Sequence, residues 1–213
     1  MTPTLRAVYD ELVERAAQPP FAQQARELRG AFLNRCGRLD PSDPAAEGRE
    51  AAAWEDALVR GGLARRIGAE LEDPSERATA ISLAHAHRGI YVFRELGQAL
   101  IAQDLWAGGE FVMLPRDDVG RELAAAGRRA DSPLCQARLL ATPDGCAVLP
   151  GTIFHPLEAR AHLDVTLSEA RARRLETDAV LDAVLKMEHT WHTLSRVKPA
   201  YAYRVEALPP ARS

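Results

Sequence analysis

Residues 89–114 read GIYVFRELGQALIAQDLWAGGEFVML, and this stretch decides the predicted fold. The chain before it follows helical periods, whereas here three short apolar runs succeed one another, at 90–93, 100–102 and 111–114. The segments 97–98 and 104–110 separate these runs, and their glycines can adopt the backbone angles that a tight hairpin requires. The pattern therefore predicts three short strands joined by turns.

The second half of the β block continues this pattern. A polar segment with a short predicted helix at 117–126 leads to residues 135–139, which alternate between two faces as a fourth strand does. Residues 142–145 read TPDG, the order of Pro, Asp and Gly that a tight turn with a glycine bulge favours. A fifth strand follows at 148–154, and we expect Pro150 and Gly151 to break or bend it.

Five short strands with tight connections predict a small barrel, SH3-like or Greek-key-like. Helical spacing on both sides of it, such as that of Leu5, Val8 and Leu12, predicts flanking helices. The expected fold class is α+β, with N-terminal helices, a central five-stranded antiparallel barrel and a C-terminal helical pair. We expect a single domain over residues 1–213, divided into a helical region, the barrel, a second helical region and an extended tail, at 1–87, 88–155, 156–198 and 199–213.

Composition limits the classes of function. The chain of 213 residues carries a formal net charge of -3, which is too balanced to favour general binding to nucleic acid or to an anionic membrane. Cys36, Cys135 and Cys146 form no CxxC pair and leave an odd thiol, which fits a reducing compartment. Cys146 is expected opposite Ala141 and not opposite Cys135, so a cross-strand disulfide is not predicted. With neither a signal peptide nor a membrane-length apolar run, we expect a soluble cytoplasmic protein without a membrane partner.

The histidines offer one candidate for chemistry. If the chain is extended at His85 and His87, both imidazoles project from one face, and His155 or Asp104 could complete a metal site. A metal-binding protein or a metal-dependent hydrolase is therefore an alternative function. On the last helix, the spacing indicates an exposed His189 and an i, i+4 pair between Glu188 and His192. These two histidines are three residues apart, whereas the zinc-protease helix requires four.

Motifs for nucleophilic catalysis and for phosphate or dinucleotide binding are absent from the sequence, so a non-enzymatic protein without a cofactor is expected. Asp104 is predicted to accept backbone N–H groups of the glycine hairpin. At the tip of that hairpin, Trp106 and Glu110 are candidate contacts for a partner, although Trp106 could equally pack in the core.

The C-terminal segment 194–204 interleaves basic and aromatic residues. This composition is found where single-stranded nucleic acid binds, and also where a chain end packs on its own domain. Tyr201, Tyr203 and Arg204 are candidate binding residues. A nucleic-acid-binding accessory role is a second alternative, which three cations on a nearly neutral chain do not favour.

The hairpin DLWAGGEF, residues 104–111, resembles hairpins of small barrel modules in uncharacterised bacterial proteins, and the segment 194–204 is similar to a signature of one such family. The resemblance implies a bacterial cytoplasmic protein with a barrel flanked by helices, and it transfers no catalytic residue. The function expected from the sequence is a non-enzymatic regulatory or scaffolding protein that binds another protein.

Overall fold

The computed structural model describes residues 3–96, 99–113, 134–194 and 197–210, with side chains from Leu5 onward. Within these ranges the fold is mixed α+β, as predicted, with seven helices around a curled antiparallel sheet. The helices are α1 Pro3–Ala16, α2 Ala22–Cys36, α3 Ala46–Leu58, α4 Leu63–Gly68, α5 Pro74–Leu83, α6 Arg160–Ala172 and α7 Thr177–Thr193. The strands are β1 His87–Leu96, β2 Ala99–Asp104, β3 Glu110–Val112, β4 Leu134–Thr142, β5 Gly145–Val148 and β6 Ile153–Phe154.

The sheet curls into a half-barrel. Its strand order is β3-β2-β1-β4-β5, all antiparallel, and β6 pairs with β4 beside β5. A single parallel bridge between Met113 and Cys146 brings the end of β3 next to β5. The concave side is filled mainly by apolar side chains from all the strands, including Tyr91, Phe93 and Met113. The strands therefore enclose a small core of their own.

Helices cover the convex side of the sheet in two groups. The five N-terminal helices pack against the β4–β5 end, where Leu140, Ala147 and Leu149 join their core. The second group is formed by α6, α7 and the C-terminal segment, which pack against Ile90 and Leu134. Strand β4 is consequently buried on both faces over most of its length. None of the described helices combines the length and apolar character that crossing a membrane requires.

Local sequence signals explain several boundaries. The Asp73 carboxylate accepts the N–H groups of Ser75 and Glu76 and thereby caps α5, as its position before Pro74 predicts. Gly37 ends α2 with a φ of 93°, in the region that favours glycine. Ala141 pairs with Cys146, which confirms the predicted register of the hairpin. The bend at Pro150 and Gly151 is also present, and it divides the predicted fifth strand into β5 and β6.

Two expectations about the fold differ from the structure. The tail was expected to be extended, but it contains two short 3-10 turns, Pro199–Tyr201 and Val205–Ala207. The Pro199 carbonyl accepts the N–H groups of Ala202 and Tyr203, and the apolar side chains that follow are buried under α6 and α7. The short helix α4 was not predicted. The predicted turn at 97–98 and the predicted helix at 117–126 lie outside the described residues.

We predict that Gly89→Ala destabilises the protein. A β-carbon at Gly89 would lie 2.6 Å from the Tyr91 hydroxyl and 2.7 Å from an Asp104 carboxylate oxygen, both in the buried barrel. Overpacking of this kind costs about 2 kcal/mol, to be measured by urea unfolding. Gly30→Ala on α2 is the control, because a β-carbon there has no neighbour within 4 Å. It should stabilise by about 1 kcal/mol, and equal midpoints for the two variants would contradict the prediction.

Candidate functional site

The β2–β3 hairpin is built around Asp104. One oxygen of its buried carboxylate accepts the backbone N–H groups of Trp106, at 2.7 Å, and Ala107, at 3.0 Å. This confirms the structural role predicted for Asp104. The other oxygen lies 2.9 Å from Nε2 of His87, so the same carboxylate also orients an imidazole.

The hairpin tip is docked on the C-terminal helices. The indole Nε1 of Trp106 donates to Oγ1 of Thr177 at 3.0 Å, and the Arg171 guanidinium lies over the indole ring. Arg171 also donates to the carbonyl oxygens of Leu105 and Trp106. Glu110 is exposed and pairs with Arg94 at 2.8 Å. Trp106 is therefore half-buried in contacts within its own chain, and Glu110 already has a cationic partner.

The three predicted metal ligands go to different surroundings. His85 is exposed beside Arg65, with 3.2 Å between their nitrogen atoms. His87 meets Asp104 at the open end of the barrel. His155 is buried, and its Nδ1 lies 2.8 Å from the Tyr203 hydroxyl. Burial lowers the pKa of His155 to about 3, so its imidazole is neutral at physiological pH. Among the described side chains, no three His, Cys, Asp or Glu come together as a metal site would require.

The His87–Asp104 pair has the arrangement of a base and its orienting carboxylate. The His87 ring contacts Phe111, with 5.8 Å between centroids, and its side chain is partly exposed. No Ser, Thr or Cys within the described ranges hydrogen-bonds to this imidazole. Among the described residues, the pair therefore lacks the nucleophile that a catalytic triad places on the other ring nitrogen.

The ion pair expected on α7 also differs from the structure. Glu188 was predicted to pair with His192, but it is buried and pairs with Arg49. Arg49 donates in addition to the Cys36 carbonyl oxygen at 3.1 Å. His192 lies 2.7 Å from Asp43. The local i, i+4 rule is overridden because α3 and the segment before it bring ionic partners from more than 130 residues away.

A chain of buried and partly buried ion pairs joins the helices to the sheet. The Asp182 carboxylate on α7 accepts from Arg88 of β1 at 2.6 Å and from Arg35 of α2 at 2.7 Å. Arg35 also donates to Asp56 of α3, which in turn accepts from Arg138 of β4, both at 2.9 Å. Burial alone would raise the pKa of Asp182, but the arginines outweigh it and hold the pKa below its usual value. No local pattern in the sequence indicates this cluster.

Glu55 lies beside the chain of ion pairs. Its carboxylate accepts the Gly151 N–H at the bend between β5 and β6, and it lies 3.9 Å from the Arg138 guanidinium. Burial raises the pKa of Glu55 to about 7, against the opposing effects of Arg138 and the Gly151 hydrogen bond. A cavity of about 10 Å³, which has room for one water molecule, adjoins it. Nη2 of Arg88 and Oε1 of Gln136, two atoms without a described partner, belong to residues that line this cavity.

The C-terminal aromatic residues separate into one inside and one outside. Tyr203 is only 1% exposed and is held by His155. Tyr201 is 68% exposed, and Arg204 is exposed beyond it. Of the predicted binding residues, Tyr201, Arg204 and Glu110 are accessible, whereas Trp106 is partly covered and Tyr203 is enclosed.

Comparison with protein-family models, with curated proteins and with solved structures gave no match.

We predict that Glu55 makes stability fall as pH rises. The folded state keeps the Glu55 proton up to pH about 7, whereas the unfolded chain releases it near the ordinary value of 4.5. Stability from this group is therefore complete below pH 4.5 and is lost between 4.5 and 7. The free energy of unfolding of wild type should fall by about 3 kcal/mol relative to Glu55→Gln across this window.

Urea unfolding at several pH values from 4.5 to 8 measures this difference, in which the contributions of the other titrating groups largely cancel. Gln can still accept the Gly151 N–H, so the variant keeps this hydrogen bond at the bend between β5 and β6. Glu47→Gln, at an exposed position of the same helix, is the control and should follow wild type. Parallel curves for wild type and Glu55→Gln would show that burial does not perturb the carboxyl.

Proposed function

We propose that this protein is a non-enzymatic regulatory or scaffolding protein that binds another protein, with Tyr201 as the central contact. The observation that carries the proposal is a large aromatic side chain, 68% exposed, on a backbone turn that the core holds in place. Exposed aromatic residues on rigid supports are typical of residues that dominate binding energy.

The turn that carries Tyr201 is fixed from both sides. The Tyr201 N–H donates to the Lys198 carbonyl oxygen at 3.0 Å, and the Tyr203 N–H donates to that of Pro199 at 2.8 Å. The buried hydrogen bond between Tyr203 and His155 then anchors the chain two residues after Tyr201. Because this backbone is already ordered, binding through Tyr201 loses little conformational entropy.

The surroundings of Tyr201 suit a protein partner. The 3-10 turn Leu157–Ala159 packs against the Tyr201 turn, and Leu157 on it is 50% exposed. Lys198 and Arg204 are exposed on either side of Tyr201 along the chain. The complementary surface is therefore an apolar pocket with acidic residues at its rim, on a second protein.

The strand order supports a Greek-key barrel of the OB type over an SH3-like barrel, because β1 has β2 and β4 as neighbours and β3 approaches β5 in parallel. Such barrels often bind oligonucleotides by stacking bases on aromatic rings of β2 and β3. Here the only aromatic residue of these two strands, Phe111, packs with the barrel core. The flanking pairs, Ile101 with Val112 and Gln103 with Glu110, contain no aromatic ring. This favours the protein-binding role over the nucleic-acid one.

We further propose a cytoplasmic location and no membrane partner. All three cysteines are free thiols, and two of them, Cys36 and Cys135, are buried. Burial raises the pKa of the Cys36 thiol to about 12, so it is an inert packing residue at neutral pH. Free thiols of this kind suit a reducing compartment.

We predict that Tyr201→Ala weakens partner binding without destabilising the fold. Proteins retained by immobilised wild type are identified by mass spectrometry, and the affinity of the purified partner is measured by calorimetry. Loss of a central aromatic contact should weaken binding about thirtyfold, equivalent to about 2 kcal/mol.

The matched control is Val165→Ala on α6, which removes a similarly exposed apolar side chain, 62% exposed. It should retain the partner with wild-type affinity. If Tyr201→Ala and Val165→Ala retain the same proteins in the same amounts, Tyr201 is not a recognition residue and the proposal is wrong.

A further inference from the structure

An open cleft of about 500 Å³ lies at the solvent end of the ion-pair chain, far larger than the cavity beside Glu55. One face of α7 forms one side, from Asp178 to Lys186, and Arg35 and Arg60 project from the N-terminal helical region. Ala207 and Pro209 of the C-terminal tail add an apolar wall. Its volume is in the range of sites that hold small molecules.

Charge is distributed unevenly along this cleft. Asp178 and Glu176 lie at the start of α7. Lys186 lies eight residues after Asp178, a separation of about 12 Å along the helix axis. Asp182 lies between them, but Arg88 and Arg35 already neutralise it. The cleft therefore has an acidic end at Asp178 and a neutralised centre at Asp182. Its cationic groups run from Arg35, beside this centre, to Lys186 at the basic end.

The cationic groups between the centre and the basic end are available to a ligand. Arg35 uses Nε and Nη2 for Asp182 and Asp56, so its guanidinium is held in place while Nη1 has no hydrogen-bond partner among the described residues. Lys186 is exposed and makes no ion pair within the described part of the chain. Together they present a fixed planar cation and an adjustable one, which suits a carboxylate.

Asp178, at the acidic end, is paired only loosely with the described residues. Arg60 is the ionic partner of Asp178, at 3.3 Å, and the same guanidinium lies 3.4 Å from Asp182. Both distances exceed those of strong charge-assisted hydrogen bonds. Both Arg60 and Asp178 are about half exposed, so their pair contributes little and an ammonium group can replace the guanidinium beside Asp178.

We propose that this cleft binds a short peptide of about three residues with free termini. Its α-carboxylate contacts Arg35 and Lys186, and its α-ammonium group contacts Asp178. A tripeptide in extended form spans about 10 Å between its termini, which matches the separation of the charged ends. Small side chains of the peptide then lie against Ala207 and Pro209. This inference does not involve Tyr201 and stands independently of the proposed partner surface.

The test uses trialanine with free termini, its N-acetyl form and its C-terminal amide, measured by calorimetry at low ionic strength. Each capped peptide should bind about tenfold more weakly than trialanine, because each loses one charge-assisted contact. The protein variants assign the ends. Lys186→Ala should weaken trialanine binding and reduce the difference in affinity between trialanine and its C-terminal amide. Asp178→Asn should likewise weaken trialanine binding and reduce the difference in affinity between trialanine and its N-acetyl form.

Arg26→Ala and Glu47→Gln are matched controls, because both residues are exposed and lie outside the cleft. They should bind all three peptides as wild type does, and thermal melting checks that every variant is folded. The proposal is overturned if trialanine gives no binding at ~10 mM, a weak affinity by the standards of small ligands. Equal affinities for free and capped peptides, or wild-type binding by both cleft variants, would overturn it as well.

Discussion

The Asp182 carboxylate is the constraint on which the arrangement of helices and sheet depends. It is 7% exposed, yet it is ionised and accepts from arginines of α2 and β1. A buried carboxylate is strongly unfavourable without such partners, so α2 and α7 can pack on the sheet only where both arginines reach it. Apolar seams tolerate small shifts between helices, whereas this contact does not. Asp182 thus selects one register among several that apolar packing allows.

Asp56 and Glu55 extend the same constraint to α3 and to the far edge of the sheet. Asp56 joins Arg35 to Arg138, and Glu55 holds the Gly151 N–H at the bend between β5 and β6. The close approach at that bend needs glycine, since a β-carbon there would lie 2.6 Å from the backbone of Ala52. The bend and α3 are therefore fixed to each other by a hydrogen bond and by the absence of a side chain.

The parts of the fold that follow from local chemistry are visible in the sequence. Asp73 before a proline, Gly108 and Gly145 in their hairpins and the Pro150–Gly151 break each act within a few residues, and the structure confirms these local predictions. Asp182 has no local signal, because helical spacing places it with polar residues. Its partners Arg35 and Arg88 are 147 and 94 residues away, so only the folded chain reveals that its face is covered.

The candidate contact residues show the same limit. Composition does not show which aromatic residues the rest of the chain covers. Thr177 and Arg171 contact Trp106, and His155 contacts Tyr203, and all of these partners are distant in sequence. The C-terminal tail then links the two proposed binding surfaces, since Tyr201 lies near its start and Pro209 lines the cleft near its end. Tyr203, fixed between them, keeps the two surfaces at a set separation. Movement of one relative to the other would require breaking the buried hydrogen bond between Tyr203 and His155.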